Sequence, residues 1–292
     1  MTTPNPVFGP FGSMCERLTL LNGLLMNLGE LLKQSKAALQ RRASKPDAPK
    51  WYPRSGYVLT FADITAPARD GILRPHPLGK FVATGEQFFE MVDSLATHNA
   101  GWVVSQGYEA FETFLFDSAA GFLHANPAEA DPDKVQRFER KGRNEDSVQV
   151  ELAYWSRFVR RLYRSTNNQD SLGLLRDLAP GLPEAERNNG RSLDLTMWYA
   201  AASTVRHAVT HSQFLIPDAE PITSLRGYDA WFPLSHEGDV TRFVPTVKTA
   251  ERVLETFAEY AFLVFKHLSL ANNYDWNIMA DNCAALLGER DA

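Results

Sequence analysis

Leu193-Asp-Leu-Thr-Met-Trp-Tyr-Ala-Ala-Ala-Ser-Thr-Val-Arg206-His207-Ala-Val-Thr-His211-Ser-Gln-Phe-Leu-Ile-Pro217 is the segment around which the remainder of the chain is organised. It reads as a buried helix. Leu193, Met197, Ala200, Thr204, His207 and His211 recur at spacings of three and four, which places them on one face of a 3.6-residue period. Ser192 is the expected N-cap and Pro217 the expected stop. The small side chains of Ala200, Ala201 and Ala202 leave room for another backbone. Arg206, His207 and His211 then crowd the end of this apolar run, where ionisable groups are costly to bury without partners.

The chain around it has 292 residues, enough for one large domain or two small ones. At 44% hydrophobic and 11% aromatic it can bury a sizeable core. A net charge of −5 exerts no global pull on nucleic acid, so binding of that kind needs a local patch. Cys15 and Cys283 lie at opposite ends and read as free thiols in a reducing compartment. No signal peptide and no run of about 18 apolar residues is present, so a cytoplasmic protein without membrane contact is expected.

Ser13-Met-Cys-Glu16 has the form of a capping box opening a helix to about Arg42. Leu18, Leu21, Leu25, Leu28 and Leu32 follow a three-four alternation that Leu20, Leu24 and Leu31 widen. That stripe suits packing on the chain's own core or contact with a second subunit or partner. Residues 45–80 are punctuated by prolines, with Tyr57–Phe61 as a short strand and the remainder as a wrapping loop. Thr84-Gly-Glu-Gln87 opens a long helix, or two joined near Gly101 or Gly107, ending before Pro127. The division expected is residues 1–83, an amphipathic helix and its Pro-rich wrapping segment, and 84–292, a helical domain.

Within that domain, Glu109 and Glu112 stand on a largely apolar run. They pair with a cation on a neighbouring helix, or they orient the 206–211 segment. Asp131-Pro132 starts another helix. Between 131 and 165 come nine cations against six acids, a local +3 that leaves −8 for the remainder of the chain. Arg157, Arg160, Arg161 and Arg164 share one helical face beside Tyr154, Trp155 and Tyr163. Such a face suits a phosphate backbone with stacked bases, or plain solvation. A short helical piece follows around Leu172–Leu178. Residues 218–245 suggest a β-hairpin-like insertion, Val247–Leu270 a closing amphipathic helix, and Trp276–Leu287 a short terminal one.

Phosphate loops, dinucleotide fingerprints, nucleophile elbows and paired-cysteine zinc motifs are absent. His207 and His211 lie one turn apart, as two zinc ligands do, but no flanking acid or cysteine supplies a third, so no metal or cofactor is expected. The other chemistry is acid–base cleavage of RNA by its own 2′-hydroxyl. A histidine moves protons near neutral pH, and an arginine fork steadies the phosphate. On a straight helix Arg206 and His211 diverge by about 140°, so they converge only through a kink or a second copy. A core histidine beside a salt-bridged arginine, in a purely structural helical protein, is the competing reading.

Arg206-His207-Ala208-Val209-Thr210-His211 resembles the Arg-x4-6-His signature of the HEPN superfamily, α-helical domains found in many prokaryotic RNases, toxins and phage-defence proteins. Arg69 and His76 also fit the spacing, but Gly71, Pro75 and Pro77 make that stretch a loop. The arrangement around the motif is similar to the family's. Tyr108–Leu115 looks like its early helix with an acid among aromatics, and Lys248–Leu270 like its closing helix. Ser212 follows the motif histidine where the family often has Asn. The resemblance implies an all-α helical bundle of HEPN type, with an N-terminal helical extension and the short hairpin-like insertion. It implies a homodimer whose two motifs form one composite, metal-independent endoribonuclease site in toxin–antitoxin or phage-defence systems. Arg206 would stabilise the phosphate, His211 would act as general base or acid, and His207 would orient a group or contact the phosphate. Arg157, Arg160, Arg161 and Arg164 would hold RNA, with Glu109 and Glu112 in support and an antitoxin or regulatory protein as a possible partner. A HEPN-like module that binds RNA, nucleotide or protein without cleaving is the alternative.

Overall fold

Residues 5–62, 75–141, 151–163, 171–216 and 225–277 are described by a computed structural model. The architecture is mostly helical with a few small strands. Helix α1 runs Phe8–Ala43, strands β1 and β2 span Arg54–Ala62 and Pro75–Thr84, and α2 runs Glu86–Ala125. After a short 3-10 turn at Pro127–Glu129 come α3 (Pro132–Lys141), α4 (Leu152–Tyr163), α5 (Ser171–Leu178) and α6 (Leu182–Arg187). Helix α7 (Leu195–His211) leads into β3 (Leu215–Ile216), β4 (Leu234–Glu237), β5 (Val240–Phe243) and the closing α8 (Val247–Ala271). Among the described residues no helix is long and apolar enough to cross a membrane.

Two units emerge. One comprises Met1–Leu25 with Ala100–Ala292, the other Met26–Asn99. In the first, α2, α7 and α8 meet through an aromatic core. Tyr108 stacks on Tyr199 with centroids 5.2 Å apart, Phe111 lies 5.0 Å from Tyr260, and Trp198 packs edge-on to Phe257 at 4.8 Å. The start of α1 joins this core through Phe11, stacked on Phe265 at 4.8 Å, and through buried Met14, Leu18, Leu21 and Leu25. Burying several rings of this size supplies much of the apolar driving force.

Glycines let the helices approach. A Cβ on Gly101 would stand 2.2 Å from Phe214 Cε1, and one on Gly107 would stand 2.7 Å from Leu254 Cδ2. These residues therefore mark contact points in a continuous α2, not a break between two helices. A three-stranded antiparallel sheet in the order β3-β5-β4 flanks α7. Its β4–β5 hairpin turns through Gly238 at φ +59°, a conformation that glycine adopts without a Cβ clash.

A buried polar brace ties α5, α6, α7 and α8 together. Arg176 donates from Nε to Glu186 Oε2 at 2.8 Å and from Nη2 to Glu186 Oε1 at 3.0 Å, and Nη2 also reaches Thr196 Oγ1 at 3.0 Å. Tyr260 donates its hydroxyl to Glu186 Oε1 at 2.6 Å. Burial, with the Glu186 charge and hydrogen bond added, holds the Tyr260 phenol well above its ordinary range. The buried Glu186 carboxylate has three donors, so its charge is compensated.

In the second unit, β1 and β2 form an antiparallel ribbon from Arg54↔Thr84 to Ala62↔Pro75, with a bulge at Leu59/Thr60. The segment expected to be mostly a wrapping loop thus contains a hairpin, and His76 stands in a strand. Each strand of a two-stranded ribbon is an edge, so Pro75 and Pro77 are tolerated there. Lys36 on α1 bridges Asp93 on α2 at 2.6 Å.

Other differences have local causes. Helix α1 begins at Phe8, so Ser13 lies inside it and caps nothing. Leu20, Leu24, Leu28 and Leu31 are exposed, and the core takes the narrower Leu18-Leu21-Leu25 seam. The terminal helix expected from Trp276 and the stop at Pro217 lie largely outside the described residues.

Candidate functional site

Helix α7 is capped by Asp194, whose Oδ1 accepts from the Met197 amide at 3.0 Å, and not by Ser192, which has φ +51°. It ends at His211, and the chain reverses through Gln213 and Phe214, both at positive φ. Phe214 is buried, and its ring fills the gap beside Gly101. That burial holds the turn, so the helix stops before Pro217. The buried face is Leu195, Trp198, Tyr199, Ala201, Ala202, Val205 and Ala208. Met197, His207 and His211 are exposed instead. The periodicity was present, but the larger aromatic surface of Trp198 and Tyr199 decides which stripe faces inward.

At the edge of that buried face, Arg206 reaches α2. Its Nε donates to Glu109 Oε1 at 2.9 Å, Nη2 donates to the same oxygen, and the guanidinium lies 5.8 Å above the Tyr108 ring. Burial works against the arginine's charge, but the Glu109 hydrogen bond and charge, with Glu112 added, raise its pKa above the usual value. Glu112 lies one helical turn beyond Glu109 and is half-buried. Burial raises its carboxyl above the ordinary range, the Glu109 charge adds to this, and Arg206 opposes it. The two acids expected either to pair or to orient the motif therefore meet its arginine directly.

His207 and His211 come together, with ring centroids 5.0 Å apart and planes tilted by 45°. Both are exposed, so neither is a core histidine. Among the described residues no group of three or more His, Cys, Asp and Glu is arranged to hold a metal. Arg206 and His211 lie on one continuous helix, about 140° apart in projection. A single chain thus assembles Arg206 with Glu109 and His207 with His211, but not Arg206 with His211.

The basic face expected on α4 is present as exposed Arg157, Arg160 and Arg161, while Arg164 lies outside the described residues. Arg160 Nη2 stands 3.8 Å from Asp117 Oδ1, and Arg161 lies 5.6 Å over the Phe138 ring. Tyr154 and Trp155 are buried, packed against Phe138 and Phe158. They are core residues, not stacking platforms. Their spacing fits the inward stripe of an amphipathic helix, which places the arginines opposite.

Comparison with protein-family models, curated proteins and solved structures finds no match to this chain. The arrangement must speak through its own chemistry. It offers an oriented guanidinium and two solvent-facing imidazoles at one helix end, a set able to hold a phosphate and move protons. Sequence reasoning assigned no role to Tyr108, which lies under the arginine. Its adjacency to Glu109 on a helix, with an aromatic face wide enough to carry a cation, is the signal that pointed there.

Proposed function

We propose that this chain is an all-α HEPN-type protein acting as a metal-independent endoribonuclease, through a composite Arg-x4-His site formed by two copies. The observation that carries the reading is the Glu109–Arg206 pair beside solvent-facing His207 and His211. Glu109 occupies Nε and Nη2 of Arg206, which aims the guanidinium and leaves Nη1 for a phosphate oxygen. In the reaction the RNA 2′-hydroxyl attacks the adjacent phosphorus. His211 of one copy takes the hydroxyl proton, and the equivalent histidine of the second copy delivers a proton to the departing 5′ oxygen. The P–O5′ bond breaks, leaving a 2′,3′-cyclic phosphate and a 5′-hydroxyl. Arg206 stabilises the charge of the pentavalent phosphorane, and His207 contacts or orients the phosphate. Arg157, Arg160 and Arg161 supply a face for the RNA backbone. A toxin–antitoxin or phage-defence role follows from the family resemblance, as does an antitoxin or regulatory partner.

The test is cleavage of single-stranded RNA by purified protein in EDTA, with end-group analysis and DNA as the control. Cyclic phosphate ends are expected, with DNA left intact. His211→Ala and Arg206→Ala abolish the reaction, and Arg206→Lys fails to restore it, because lysine lacks the fork. Light scattering should return a dimer. A monomer, or cleavage that EDTA stops and zinc restores, sinks the composite site. A second reading has its own support. Because Glu109 already engages the fork, a HEPN-like module that binds RNA, nucleotide or a protein partner without cutting it is favoured if wild type retains RNA and yields no product.

A further inference from the structure

Outside the motif, the described chain carries a cationic stretch at Arg41-Arg-Ala-Ser-Lys45-Pro-Asp-Ala-Pro-Lys50-Trp51-Tyr52-Pro-Arg54, the elbow between α1 and β1. It holds five cations and one acid, Asp47, in a protein whose net charge is −5. Arg41, Arg42, Lys45, Lys50 and Arg54 are all exposed, and among the described residues none of them is in an ion pair. The elbow is a series of closed turns. The Lys45 amide donates to Arg42 O at 3.3 Å, Ala48 to Lys45 O at 3.0 Å, and Tyr52 to Pro49 O at 2.9 Å. Two of the cations stand over aromatic rings, with the guanidinium carbon of Arg54 4.7 Å from the Trp51 centroid and that of Arg42 5.3 Å from the Tyr52 centroid. Trp51 is nevertheless 53% exposed.

We infer that this elbow is a docking surface for single-stranded RNA. A guanidinium held over a ring keeps N–H groups for phosphate oxygens, while the exposed part of the indole is open to a base. Five exposed cations within one elbow, none in an ion pair among the described residues, follow a phosphate backbone by charge complementarity. The half-exposed Trp51 ring suits a ligand that has flat apolar faces as well as negative charge, which nucleic-acid bases and phosphates supply together. Inserting into an anionic membrane takes several exposed apolar side chains, and within 41–54 Trp51 is the one large apolar residue so exposed. The choice of RNA over DNA rests on the ribonuclease reading; the surface itself does not depend on cleavage.

The experiment is fluorescence anisotropy with full-length protein carrying His211→Ala, which prevents turnover. The probe is a labelled oligouridylate of about 20 nucleotides, longer than a one-domain site of roughly 4–16. Arg41→Glu with Arg42→Glu should weaken binding about tenfold or more and reduce the slope of log K against log salt by about 1.4, roughly 0.7 per lost phosphate contact. Trp51→Ala should weaken it at least about fivefold with the salt slope unchanged, and Trp51→Phe should keep most of the affinity. If the helix-end pair perturbs folding by circular dichroism, Lys45→Glu with Lys50→Glu tests the same charge in the turns. Affinity and slope that stay within about twofold after reversal overturn the surface. So does capture of the protein by phosphatidylserine vesicles through these residues while RNA binding is untouched, which makes the elbow a membrane contact. A DNA oligomer bound more tightly than RNA overturns the choice of RNA. Binding here by a His211-intact protein that never cuts RNA sinks the ribonuclease and leaves the surface standing. Cleavage with binding indifferent to reversal does the opposite.

Discussion

Arg206 on α7 and Glu109 on α2 pair across 97 residues of sequence, with the arginine Nε donating to one carboxylate oxygen at 2.9 Å. Their side chains are 28% and 34% exposed. Water and salt screen a pair at that depth, so it contributes about 1 kcal/mol or less to stability. Its value lies in aim, since a fork held at one edge presents its remaining N–H groups in a single direction.

Glu109→Gln should therefore leave folding nearly intact, within about 1 kcal/mol, while lowering the rate of RNA cleavage about tenfold through loss of orientation. Chemical melts and single-turnover kinetics separate the two effects. A loss of stability with an unchanged rate reassigns the pair to helix packing.

How much of this was legible differs from element to element. Helix α7, the length of α2, the closing α8 and the Asp131 cap are local patterns, and local patterns survive folding; Asp131 Oδ1 does accept from the Asp133 amide at 2.9 Å. The face of α7 that turns inward was not legible. Met197 and the histidines match the period as well as Trp198 and Tyr199 do, and only Tyr108, Phe232 and Phe257 waiting on other elements break the tie. The Glu109–Arg206 contact was visible as two candidate groups but not as a pair, because nothing local joins residues so far apart. The ribbon of β1 and β2 was obscured by prolines that read as loop and prove to be edge residues.

The glycines of α2 make a paired prediction. Gly101→Ala and Gly107→Ala each force a Cβ against Phe214 or Leu254, at a cost of about 1–3 kcal/mol from overpacking. Gly12→Ala, inside α1 with nothing within 4 Å of the new Cβ, should stabilise by about 0.5–1 kcal/mol. Urea denaturation of the three variants reads the contrast directly. A stabilised Gly101→Ala would show that α2 and the Phe214 turn do not approach as described.

The Glu186 brace should be far more sensitive than the Arg206 pair. Glu186→Ala strands the Arg176 guanidinium with only Thr196 and removes the Tyr260 acceptor, for a loss of about 3–5 kcal/mol. Tyr260→Phe leaves the Arg176–Glu186 pair in place and should cost about 1.5–3 kcal/mol. Equal costs in the two melts would mean that the Tyr260–Glu186 bond carries the effect and that the Arg176 contacts add nothing to it.

Glu112 sets the pH dependence. Burial first, and the Glu109 charge second, raise its pKa above the ordinary 4.5, with the Arg206 charge acting against them. The folded state consequently holds its proton more tightly than the unfolded chain does. The stability this contributes is fully present below the unfolded value and is lost as pH rises through the raised folded value. Near about pH 7 the ionised carboxylate is therefore a liability, and Glu112→Gln, which keeps the shape without the charge, should melt at a higher temperature than wild type. Near about pH 4, where wild type is protonated, the two proteins should melt together. The measurement is Tm for both proteins across that range, read beside Glu109→Gln, which removes the second-ranked cause and should shrink the gap. A gap that is constant with pH would place the effect in packing. A wild type more stable than Glu112→Gln at neutral pH would mean that attraction to Arg206 outweighs burial, reversing the order of causes at this carboxylate.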